Sequence, residues 1–188
     1  MFKMLELGPD GSVSVIEGAD LVGPPPEGVL RWIDLQKQDN DQLAVLAERF
    51  KFHPLTIEDC SHFDQRPKVE EYGDYLFLVT HGFRLTASSS EPLESLELHS
   101  FLAANYLVTV HADPIPSLES VWNRLKGDPA LMRRGPDFIA YLVCDGIVDS
   151  FFPLLDDISL QVEDVEDQVL ARNQTVELTD IFRLKRML

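Results

Sequence analysis

The chain has 188 residues, 45% hydrophobic and 26% charged, enough for one globular domain with a substantial core, or for one domain plus an extension. Acids outnumber bases 32 to 16, for a formal charge of −16, so the surface repels nucleic acid and anionic lipid and attracts cations. Cys60 and Cys144 lie far apart with no partner motif, which argues against a disulfide framework and suits a reducing cytosol. The opening MFKMLELGPDG lacks the apolar core of a signal peptide. No run approaches the roughly eighteen apolar residues needed to span a bilayer, so the chain as given reads as soluble.

In chain order, apolar runs at 1–7 and 12–16 flank Gly8-Pro9-Asp10-Gly11, a hairpin signal. Gly23-Pro24-Pro25-Pro26 is a stiff loop, and VLRWIDL (29–35) reads as a strand. Asp39 with Gln42 resembles a capping box opening the helix NDQLAVLAERF. His53-Pro54 starts a second, short helix, with proline in the tolerated first turn. Tyr72 to Leu85 is a strand whose Tyr75, Phe77, Val79, Phe83 and Leu85 share one face at period two. Leu96 to His111, interrupted at Ala103-Ala104-Asn105, reads as a hairpin, and TASSSEP (86–92) between the two is a polar loop.

After Asp113 the pattern becomes purely helical. Ser117 to Leu125 is amphipathic, Gly127-Asp128-Pro129 breaks it, and Gly135-Pro136-Asp137 opens a long helix. Tyr141, Cys144, Val148, Phe151, Leu155, Ile158, Val162, Val165 and Val169 recur at alternating spacings of three and four, a heptad seam that predicts helix–helix packing. Pro153 lies off the seam and predicts a kink. A further helix, TVELTDIFRLKRML, opens after Asn173-Gln174, and the chain ends inside it.

From Asp145 to Ala171 there are eight acids and no lysine or arginine. Two carboxylates about 5 Å apart repel by about 3 kcal/mol at an effective dielectric near 20, so a solvated face, outside bases or bound cations must relieve them. In HPLTIEDCSHFDQRPKVEEY (53–72), Thr56-x-x-Asp59 fits a capping box, and Glu58 and Asp59 read equally as first-turn acids or as cation ligands. Cys60 and His62 lack the paired spacing of a zinc site. Arg66-Pro67-Lys68 is a turn whose bases pair with nearby acids. No nucleophile–base pair, phosphate loop or HExxH is present, so a hydrolase reading has no anchor and the chain is not read as an enzyme.

The blocks RWIDL, HPLTIED, QRPKVEEYGDYLFLV, YLVTVH and DFIAYLVCDGIVDSFFPLLDDISLQVEDVEDQVL occur in this order, and from about Trp32 onward the chain resembles the CorA-type magnesium transporters. The resemblance implies an α/β/α sandwich with a mixed, largely antiparallel sheet over residues 1–113. An acidic helical pair over 114–174 and the start of a stalk helix over 175–188 would follow, leading to membrane helices beyond the chain. It implies five like subunits on the cytoplasmic face of a bacterial inner membrane, and a Gly-Met-Asn pore signature that lies outside this sequence. Regulatory Mg²⁺ would sit between neighbouring cytoplasmic domains, held by Glu58, Asp59 and Asp145, with Asp149 one turn away and a further acid from the neighbour's stalk. The blocks do not separate Mg²⁺, Co²⁺ or Ni²⁺ carriers from the zinc-transporting ZntB branch, so Zn²⁺ stays open as a cargo. A soluble coiled-coil oligomerisation module is the reading outside the transporter class.

Overall fold

The structure is a computed structural model describing residues 2–17, 23–37, 40–86 and 93–170, with side chains described to 167. Asp39, residues 87–92, the Val169 side chain and the helix expected from 175 lie outside the described residues. Two compact units divide the chain: Met1–His81 with Leu96–Ile147, and Gly82–Ser95 with Val148–Leu188.

The expected hairpin is present as β1 (Phe2–Leu7) and β2 (Val13–Glu17), turning through Gly11 at φ +79°, a left-handed conformation that costs glycine little. Strand β3 (Leu30–Gln36) follows, then helices α1 (Asn40–Phe50) and α2 (Pro54–His62). The strand expected over 72–85 is β5 (Tyr75–Leu85), beginning three residues later, and it is preceded by a short strand that was not expected, β4 (Lys68–Glu71), with Gly73 at φ +70° turning the chain between them. Strands β6 (Leu93–Ala103) and β7 (Tyr106–His111) form the second expected hairpin, and α3 (Pro116–Gly127), α4 (Pro129–Met132), α5 (Pro136–Asp149) and α6 (Phe151–Leu170) complete the order. The sheet runs β2-β1-β3-β7-β6-β5-β4; β3 pairs with β7 in parallel, while β1 with β2, β1 with β3, β4 with β5 and β6 with β7 are antiparallel. This is the mixed, largely antiparallel sheet expected from the resemblance.

Alternation along the central strands sends side chains into two helical layers. Ile33 and Leu35 of β3, with Val108 and Val110 of β7, join Leu43, Leu46 and Phe50 of α1 and Cys60 of α2 in one core. Phe52 stacks on Phe101 at 3.9 Å within it. On the opposite face Trp32 meets Trp122 of α3 at 5.1 Å, and Leu118, Val121 and Leu125 are buried beside it.

Three expectations need correction. First, α2 begins at His53-Pro54 as expected, so the capping box matched at Thr56-x-x-Asp59 is not its start and Thr56 lies inside the helix. His53 Nδ1 accepts a hydrogen bond from the Leu55 N–H, and the Thr56 hydroxyl donates to the His53 carbonyl. Proline at the first helical position removes a donor that needs no partner, so the helix starts one turn earlier and Glu58 and Asp59 fall outside its first turn. Second, the heptad seam is not the core face of α5. Tyr141 is 56% and Val148 52% exposed, whereas Ile139, Val143 and Ile147 are buried. Apolar residues surround this helix, and the stripe that wins is the one meeting α3, where Gly146 brings the backbones close enough for a Cβ to lie 3.3 Å from that of Ser117. Third, residues 136–167 are long and apolar enough, by length and composition, to cross a membrane. Asp145 and Asp149 interrupt the apolar run, and the buried stripe of α5 identifies that helix as part of the core.

The helix is broken at Ser150, between α5 and α6. Pro153 lacks the N–H that would reach the Asp149 carbonyl, and its ring crowds that same group, which accounts for the break. In the second unit Phe83 meets Phe151 at 5.6 Å, Ile158 is buried, and Asp156, Glu163, Asp164, Glu166 and Asp167 form an exposed, solvated face.

Candidate metal site

Carboxylate oxygens are the hard donors that Mg²⁺ prefers, and it commonly takes only one or two of them along with water. By chemistry, therefore, the four acids singled out above fit the ion. Glu58 lies exposed on α2, whereas Asp59 points to β4, where its Oδ2 is 2.8 Å from Lys68 Nζ. Lys68 also reaches Glu70 Oε1 at 3.2 Å, as the expected pairing of the Arg66-Pro67-Lys68 turn with nearby acids requires. The hydrogen bond to Asp59 holds the Lys68 ammonium above its ordinary pKa. Asp145 is exposed on α5, and Asp149, also exposed, ends that helix one turn later. Among the described residues no three His, Cys, Asp or Glu side chains converge as a metal-binding group.

The cysteine and histidines of the 53–72 stretch have other work. His53 caps α2, and exposed His62 is 3.0 Å from the Glu58 carbonyl through Nδ1. Cys60 is fully buried with its Sγ 3.0 Å from His99 Nδ1, and His99 Nε2 meets Glu97 Oε1. A carboxylate at Nε2 requires a hydrogen there, so Nδ1 accepts from the thiol. Burial pushes the Cys60 thiol well up and lowers His99, in spite of the opposing pull of Glu97 on the imidazole. The geometry of a nucleophile–base–acid triad is present, with the ionisation reversed from what nucleophilic catalysis needs. The three residues tie α2 to β6.

A second buried polar group occupies the α3 face of the sheet. Asp34, 2% exposed, accepts from the Thr109 hydroxyl at 2.6 Å, with His111 Nε2 at 3.3 Å and Lys3 Nζ at 3.5 Å. Thr109 Oγ1 in turn accepts from Trp32 Nε1 at 3.1 Å, and Lys3 also pairs with Glu119 of α3. A cavity of about 350 Å³ opens beside these groups. Neither network was read from the sequence. The available signal was polarity out of place: Asp34 inside an apolar strand, and Glu97 and His99 on one face of another.

The comparisons agree on the family. The CorA-like Mg²⁺ transporter protein pattern matches residues 27–188. The Bacillus subtilis protein YfjQ is 32% identical over 160 residues, covering 85% of this chain and 49% of its own length. The cobalt/magnesium transport protein CorA of Thermotoga maritima is 29% identical over 159 residues, covering 84% of this chain and 45% of its own. The chain thus spans about half the length of these relatives. In fold it matches the soluble domain of CorA from Methanocaldococcus jannaschii, with a TM-score of 0.72, 20% identity, and coverage of 98% of this chain and 71% of that one. The chain belongs to the CorA-like Mg²⁺ transporter family, a family of membrane metal-ion transporters and not of enzymes.

Proposed function

We propose that this chain is the cytoplasmic, metal-sensing part of a CorA-like divalent-cation transporter assembled from five copies and anchored by membrane helices beyond residue 188. Mg²⁺ is the regulatory ion, bound weakly through Glu58, Asp59 and Asp145, with Asp149 offering a further carboxylate one turn on. The observation that carries this reading is that, in a family member, Glu58, Asp145 and Asp149 are exposed and Asp59 is part-exposed, and among the described residues these acids do not form a complete ligand set. Acids that are singly insufficient become a site when a second copy supplies the remainder. Metal then binds one assembly state better than another and shifts the population toward it.

The cargo is proposed as Mg²⁺, with Co²⁺ accepted. The test is charge reversal in the full-length protein, Asp59→Lys and Asp145→Lys, read by Mg²⁺-dependent protection from proteolysis and by transport at high and low internal Mg²⁺. Each reversal is expected to abolish the protective effect of Mg²⁺ and to leave transport open at metal concentrations that close the wild type. Unaltered metal dependence in both variants overturns the reading.

A further inference from the structure

We propose that Lys68 is a built-in competitor for the divalent cation at Asp59, so that this one ion pair sets the metal concentration at which the site fills. The inference rests on Asp59 being a ligand, as proposed above.

Lys68 Nζ lies 2.8 Å from Asp59 Oδ2 and 3.2 Å from Glu70 Oε1, so a single positive charge already bridges two carboxylates from different elements. That is the position a divalent cation held by one or two carboxylates would take. A Mg²⁺ ion bound directly to Asp59, with its oxygen at about 2.1 Å, would lie within a few ångströms of the ammonium. Like charges cannot share that space, so direct binding at Asp59 Oδ2 requires Lys68 to leave.

The structure holds the lysine in place and also leaves it a way out. Its backbone is fixed in β4, paired with Val79 of β5, and its ammonium lies 5.7 Å from the Phe77 ring. The side chain is 29% exposed and that of Asp59 17%, so the flexible stem has solvent to swing into. A part-exposed pair of this kind is of modest strength, enough to withhold the carboxylate at low metal and not enough to withhold it at high metal. Arginine at this position would grip the carboxylate through two parallel bonds and compete better.

The experiment is calorimetric titration of the intact protein with MgCl₂ at constant ionic strength, with thermal melts to establish folding. The variants are Lys68→Met, Lys68→Gln, Lys68→Arg, Asp59→Asn and Asp59→Asn/Lys68→Met, with Lys126→Met on the exposed side of α3 as a charge control. Both neutral Lys68 variants should bind Mg²⁺ about fivefold more tightly, the most that an ordinary part-exposed ion pair withholds. Lys68→Arg should bind no more tightly than wild type, Lys126→Met should be unchanged, and the gain should vanish in the double variant. Unchanged affinity in both neutral variants, with weaker binding in Asp59→Asn, overturns the competitor role and leaves Asp59 a ligand. A gain that persists in the double variant also overturns it. If neither Asp59→Asn nor the Lys68 variants move the affinity, the assignment of Asp59 as a ligand fails as well.

Discussion

Asp34→Ala is the most demanding test of the buried networks. The carboxylate is 2% exposed and takes a 2.6 Å hydrogen bond from Thr109, with His111 Nε2 at 3.3 Å and Lys3 Nζ at 3.5 Å. A hydrogen bond to a charged group contributes about 1.5–3 kcal/mol, and stranding a buried partner adds about 1–3 kcal/mol. Lys3 retains Glu119, so its share of the loss is the smaller part. Together these come to about 2.5–6 kcal/mol, which brackets the roughly 3–5 kcal/mol expected for breaking a buried charged pair by removing one partner, and Asp34→Ala is predicted to cost about 3–5 kcal/mol. Urea unfolding followed by tryptophan fluorescence suits the measurement, because Trp32 donates to the same Thr109 that donates to Asp34. Asp34→Asn keeps the shape and the acceptor for Thr109, and should cost less than alanine. A loss below about 1 kcal/mol for alanine, with an unchanged denaturant slope, would refute the account of Asp34 as the centre of this layer.

His99 supplies a pH prediction. Burial lowers its pKa from 6.5, so between that value and the folded one the unfolded chain binds the extra proton and the native chain does not. Stability should fall as pH drops below about 6.5 and level off below the folded pKa; His99→Asn should remove that slope, and an identical slope in the variant would contradict the assignment. Cys60, fully buried, should resist thiol reagents until the protein unfolds, whereas half-buried Cys144 should react first in the native protein, as mass spectrometry of labelled peptides will show. Gly146→Val should destabilise by about 1–3 kcal/mol in the same urea assay, because a Cβ there lies 3.3 Å from that of Ser117 and the branches have no room.

What the sequence made legible was whatever has a local period or a local stop signal. Alternation found the β6–β7 hairpin, His53-Pro54 marked the start of α2, and glycine and proline punctuated the helices. The ordered blocks were enough for the family. The Cys60–His99 and Asp34–His111 contacts join residues 39 and 77 positions apart, and no periodicity connects them. The capping-box match at Thr56 failed because an equally good cap lay three residues earlier with a proline behind it. The heptad in α5 failed for a different reason: its apolar residues support two stripes, and only the packing of α3 decides between them. Glu58, Asp59, Asp145 and Asp149 were picked out by resemblance, and the structure adds what resemblance could not, that one of them is held by a lysine.

The parallel pairing of β3 with β7 has a consequence for how this chain acquires its shape. Arg31 lies beside Tyr106 and Gln36 beside His111, so the hairpin of β1 and β2 with β3 cannot join the other strands until about seventy further residues have been made. Two local hairpins are expected to form early on either side of a gap that only β7 closes, and that closure carries a large loop-entropy cost. On the ribosome the first three strands must wait, their apolar edge unpaired, for a segment synthesised several seconds later. The middle of this sheet is therefore the last part to be assembled, and the exposed edge of β3 is where a stalled or destabilised chain would first find the wrong partner.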